Sequence, residues 1–187
     1  MNKMAITAMA VLWSMSASAV EGKVLTQVIS DKVALTPKQW FRLDADKGEV
    51  KIVPGENGLV TYEVEFTPNR WSKPTAQDFK DSTAIYSAGM LTVRCAQSLN
   101  VKVSLRVPPT QRVEALLESG VMSIGPITGE LVAKVQTGTL DYDARALPAD
   151  VCVNATVNVG TVENHRDFRC KPGQTTLHVR TGTLEVN

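Results

Sequence analysis

The chain has 187 residues, with 20 basic and 19 acidic side chains, a formal net charge of +1 and only 5% aromatic residues. That length suits one domain with enough chain to bury a core. The balanced charge, with no basic stripe along it, argues against a nucleic-acid partner.

Lys3 is followed by an uncharged, mostly apolar run from Met4 to Met15, then by Ser16-Ala17-Ser18-Ala19. A positive start, a short apolar stretch and small residues before a cut are the three parts of a secretory signal. Cleavage is expected after Ala19, leaving residues 20–187 as one β-repeat domain in the periplasm or outside the cell. The run is shorter than the ~20 apolar residues that span a bilayer, so no membrane segment is expected after cleavage. An uncleaved anchor is the alternative. No cysteine stands at the cut, which argues against a lipid anchor there.

Trp40-Phe41 opens the first strongly alternating segment. Phe41, Leu43 and Ala45 precede Gly48, and Val50 and Ile52 follow it. GENG (55–58) reads as a turn rather than a phosphate loop. Val60, Tyr62, Val64 and Phe66 alternate as a strand. Residues 67–84 are polar, carry two prolines and read as a long excursion from the core. Trp71 within it either folds back over one end of the domain, which is the preferred reading, or stands exposed as an anchor for a partner or a sugar. A looser repeat surrounds Gly89, followed by Leu91 and Val93. Val101, Val103, Leu105 and Val107 form another strand, ended by Pro108-Pro109.

From there the chain repeats. Val113, Ala115 and Leu117 precede Gly120, with Met122 and Ile124 after it, and GPITG (125–129) makes a turn. VQTGTLDYD (135–143), VNVGTVENH (157–165) and VRTGTLEVN (179–187) then place Gly138, Gly160 and Gly182 at intervals of 22 residues. Alternation of period two puts Leu131, Ala133 and Val135 on one face of a strand. Leu140 lies five residues beyond Val135, an odd step that a straight strand would send to the opposite face. The chain must therefore bend or bulge at Gly138, which a glycine permits by taking positive φ. Strand, corner, strand and return make one coil, and stacked coils bury a continuous interior. The expected fold is all-β, a small right-handed β-solenoid-like repeat domain with its clearest repeats at 113–187. A β-sandwich is the alternative.

VKVSLRVPP (101–109), ESGVMSIGPITGEL (118–131) and the Thr-Gly-Thr segments together resemble the bacterial putative adhesin family, exported proteins made of short β-strand repeats. The resemblance covers roughly residues 40–187 and is best from residue 99 onward. The glycine-aspartate common after the corner in that family is replaced here by Gly-Thr, or by Gly-Val at 120. The resemblance implies a β-solenoid-like fold and no reaction.

Cys95, Cys152 and Cys170 would all reach an oxidising compartment. One disulfide and one spare thiol is the simplest accounting, and Cys152 with Cys170 would link neighbouring repeats. No CxxC or Cys/His spacing suggests zinc. Asp141, Glu163 and Glu185 share one repeat position and should face outward in a row, strands about 4.8 Å apart. Asp143, His165 and Asn187 fall on the next row. Such a row could hold Ca²⁺ through oxygen ligands or simply be solvated. Paired carboxylates also serve glycoside hydrolysis, which needs one acid and one base with separated pKa values, and identical stacked positions do not provide that. His165 and His178 read as surface residues. The last strand, ending at Asn187, looks uncapped and invites strand addition or self-association through the C-terminal coil. The function expected is non-catalytic binding or scaffolding of an unknown protein or glycan. A carbohydrate-active enzyme using the acidic row, and an envelope assembly or stress factor, are the alternatives.

Overall fold

In the computed structural model the described residues are 26–36, 38–147, 153–164 and 175–187. They form an all-β structure with one short helix: β1 (Gln27–Ala34), β2 (Trp40–Pro54), β3 (Leu59–Pro68), α1 (Ala76–Asp81), β4 (Thr83–Ser87), β5 (Met90–Arg94), β6 (Leu99–Val107), β7 (Arg112–Ile124), β8 (Leu131–Tyr142), β9 (Val153–Asn164) and β10 (Thr175–Val186). The sheet is open, with strand order β1-β3-β6-β2-β7-β8-β10-β9 and the β4–β5 pair joined to β2.

β2, β7, β8, β10 and β9 pair in parallel, and their corner glycines stand in register: Gly48 with Gly120, Gly120 with Gly138, Gly138 with Gly182 and Gly182 with Gly160. In β8 the buried residues are Leu131, Ala133 and Val135 before the corner and Leu140 and Tyr142 after it. The odd step across Gly138 therefore turns both arms toward one core, as the alternation requires. β2 repeats the pattern with Phe41, Leu43 and Ala45, then Val50 and Ile52, all at most 2% exposed.

The corner demands glycine for two reasons at once. Gly138 has φ +139, and a Cβ there would overlap the Gly120 carbonyl oxygen and lie 2.8 Å from its carbon. Successive corner peptides thus stack in direct contact along the column.

The other side of β2 is built differently. β5 pairs with its first arm and β6 with its second, so β5 and β6 form a coil whose corner is residues 95–98. Hydrogen bonds hold that corner. Cys95 N donates to Asp46 Oδ2 (2.9 Å), Lys47 Nζ to the Ala96 carbonyl (2.6 Å) and Ala96 N to Ser82 Oγ (3.0 Å). β4, β3 and β1 then add antiparallel to β5, β6 and β3.

Three expectations change. Gly89 is no corner: with Ala88 (φ 50) and Gly89 (φ 83) it makes the two-residue turn of the β4–β5 hairpin, as left-handed residues do in tight hairpins. The polar excursion contains α1, closed by a capping box in which Thr75 and Asp78 each bond the other's backbone. The C-terminal strand is not the end of the stack: β10 lies between β8 and β9, so among the described strands β9 is the edge on that side.

Candidate functional site: the outer rows, the Trp71 loop and the β9 edge

The acidic positions lie in one row, with Glu185 in the centre. Glu185 is registered against Asp141 on one side and Glu163 on the other. The row continues from Asp141 to Ser123 and Lys51. Asn187 donates from Nδ2 to Asp141 Oδ1 at 3.0 Å, which reduces the local repulsion. Asp143, next along β8, is bound by Arg145 through Nε and Nη2, both at 2.9 Å. That guanidinium holds the Asp143 carboxyl below the usual range. Among the described residues no three His, Cys, Asp or Glu side chains group in a way that could hold a metal ion. His165 lies outside the described residues. His178 is half-buried, its Nδ1 2.9 Å from the Thr156 hydroxyl.

Cys152 and Cys170 also lie outside the described residues. Cys95 is a free, buried thiol at the 95–98 corner, bonded to the Leu99 carbonyl at 3.4 Å. Burial pushes its thiol above the ordinary value, and Lys47 opposes that. It lies at a corner that, unlike those of β2, β7, β8, β9 and β10, contains no glycine.

Trp71 does not fold back. It is 87% exposed, although the backbone beneath it is firmly tied. Asn69 N donates to the Ser98 carbonyl (2.9 Å), Ser72 N to the Asn69 carbonyl (3.0 Å) and Trp71 N to Asn69 Oδ1 (3.3 Å). The Ser72 hydroxyl bonds the carbonyls of Asn69 and Ser98. Arg70 places its guanidinium 5.3 Å from the Trp71 ring centroid, within cation–π range. The packing expectation fails: Asn69 N and the Ser72 hydroxyl tie this loop to the Ser98 carbonyl of the 95–98 corner, and the indole it carries stands in solvent. Trp40 behaves as expected of a strand opener: it lies half-buried beneath Arg112, 4.5 Å from the guanidinium.

The third feature was not expected in this place. Val162 aligns with Leu184 of β10, yet Leu184 is 0% and Val162 43% exposed. Val159 is 64% exposed. The clue in the sequence is Asn164, which occupies the position held by Ile124, Tyr142 and Val186 in the other repeats.

No family model matches the sequence, and no curated protein matches it significantly. Solved structures do. One is a putative cell adhesion protein from Clostridium sporogenes, 12% identical, at TM-score 0.51, covering 85% of this chain and 98% of that one. A putative adhesin from Bacteroides fragilis matches at TM-score 0.33 and 8% identity over 86% of this chain and 97% of its own. One from Parabacteroides merdae matches at TM-score 0.29 and 14% identity over 77% and 61%. The chain is similar in fold to the clostridial putative cell adhesion protein across most of the length of both.

Proposed function

We propose that this chain is an exported, non-catalytic binding protein of adhesin-like type, acting in the periplasm or at the cell surface, and that its ligand is a glycan. Its packing is read as a right-handed β-solenoid-like stack rather than a sandwich, because five glycine-cornered strands pair in parallel and in register around one core. The fold shared with the putative cell adhesion protein from Clostridium sporogenes supports this role. The N-terminal secretory pattern agrees with export.

The observation that carries the reading is Trp71. A large aromatic ring left almost fully exposed loses the favourable burial that it would gain in a core, about 25 cal/mol per Å² of apolar surface. Here it stands on a loop tied by hydrogen bonds to Ser98, so little backbone freedom remains to be lost on binding. Its face can stack on a sugar ring, and Arg70 beside it can donate to hydroxyl or carboxylate oxygens.

Two tryptophans, Trp40 and Trp71, lie beyond the expected cleavage point, so a Trp40→Phe variant isolates the signal of Trp71. Mature protein applied to a panel of cell-envelope glycans should retain a subset, and titration with those should shift the Trp71 emission. Trp71→Ala should weaken retention tenfold or more with an unchanged melting temperature. Equal retention by Trp71→Ala, or retention of no glycan, would remove the reading.

A further inference from the structure

The glycine column has a direction. The missing Cβ of Gly120 faces the carbonyl of Gly48, that of Gly138 faces Gly120, that of Gly182 faces Gly138 and that of Gly160 faces Gly182. Each corner thus receives a carbonyl from the strand before it and presents its own carbonyl to the strand after it. At β9 the series stops. Among the described strands β9 is registered against β10 on one edge, and from Asn154 to Asn164 no described strand is registered against its other edge.

The core is unfinished at the same place. Leu177 and Val179 of β10 are fully buried, whereas their registered partners on β9, Ala155 and Val157, are only half-buried. Val162 continues the row of Leu140 and Leu184 without their cover. Free edges usually carry lysines, prolines or bulges that discourage further pairing. β9, VNATVNVGTVEN, has no proline, and its one charged residue is Glu163. The free edge at the opposite end is different: β1 carries both Asp31 and Lys32.

We propose that the exposed edge of β9 is a docking site for a parallel, glycine-cornered β-strand supplied by another polypeptide. The occupant's chemistry follows from the column. In a parallel neighbour in register, the corner residue meets the Gly160 carbonyl as Gly160 meets that of Gly182, so it must be glycine. Apolar residues three and five before that glycine, and two and four after it, complete the rows of Val157, Ala155 and Val162. A basic residue three after the glycine meets Glu163 and supplies charge complementarity. A second copy of this chain cannot supply such a strand by extending its sheet. Its β2, β7, β8 and β10 are paired on both edges, and its β9 offers the same edge, whereas parallel pairing joins opposite edges.

The site is independent of Trp71, so failure of one reading leaves the other standing. The test uses the intact mature chain and fluorescein-labelled peptides of residues 175–187. The parent peptide should bind saturably, the Gly182→Ala peptide at least tenfold more weakly, and the Glu185→Lys peptide more tightly than the parent. Val162→Lys in the chain should weaken binding of the parent peptide. Thr161→Lys serves as a second variant should Val162→Lys unfold. Hydrogen exchange should show protection gained at β9 and unchanged at β10, which separates docking from exchange of the chain's own strand. No binding at 100-fold the chain concentration, equal binding by the Gly182→Ala peptide, or a chain that simply dimerises through β9 would each overturn the proposal.

Discussion

Corner glycines differ from ordinary turn glycines by what stands beside them. A Cβ at Gly138 would strike the peptide of Gly120, and the backbone is already at φ +139. At Gly58 (φ +75) nothing lies within 4 Å of such a Cβ. Gly58→Ala therefore meets only the left-handed backbone penalty, roughly 1–2 kcal/mol. Gly138→Ala adds a backbone collision that no rotamer relieves, and should cost more than about 4 kcal/mol. Chemical denaturation of the two variants checks the contrast, and equal losses would show that the column can spread. The phenols give a second residue-scale test. Burial pushes Tyr142 and Tyr62 up to about 12, and Tyr86 is raised for the same reason. A phenol whose folded pKa is raised binds its proton more tightly in the fold. Its contribution is present below the unfolded value of about 10 and is lost as pH rises toward the folded value. A spectrophotometric titration should show little phenolate near pH 10 and a rise toward pH 12 together with unfolding. At this scale the glycines were legible because an odd step between buried positions is a local property. The exposure of Trp71 was not, since the loop that carries it is tied by bonds from Asn69 and Ser72 to Ser98, distant in the chain.

Among the elements, β9 and β10 are nearly the same in sequence pattern and opposite in circumstance. Among the described strands β10 has a neighbour on each side and β9 has one. The last strand of a chain usually frays first, but here its amides should rank among the slowest to exchange, while the outer-edge amides of β9 exchange early. Hydrogen exchange resolved to β9 and β10 peptides tests this. Faster exchange in β10 would contradict the strand order. β5 and β6 show the same limit of local reading. Leu91 and Val93 were recognisable as core residues, and the alternation of Val101 to Val107 as a strand. That the two pieces together form one coil against β2 could not be read, because the corner between them replaces a glycine with bonds to Asp46, Lys47 and Ser82.

Across the whole molecule the two ends are unlike. Beyond the β5–β6 coil the sheet turns antiparallel through β3, β4 and β1, with α1 connecting β3 to β4. At the other end the parallel register simply reaches β9. The acidic row runs toward that end, from Lys51 through Ser123 to Asp141, Glu185 and Glu163, so charge as well as exposed apolar surface distinguishes it. The sequence by itself determined the repeating unit: two alternating arms, a glycine corner, and the alignment of Asp141, Glu163 and Glu185 at one position. The arms and the corner follow from backbone sterics and a period of two, which act within a dozen residues, and the alignment follows from the 22-residue interval between repeats. Only the tertiary structure decided which strand lies beside which. β9 and β10 share one register and could each fill either slot. The slot between two neighbours covers both edges, and it went to β10, which carries Leu177, Val179, Leu184 and Val186 where β9 offers Ala155, Val157, Val162 and Asn164. Placing the more apolar strand inside buries more surface, a comparison between distant segments that no local pattern contains.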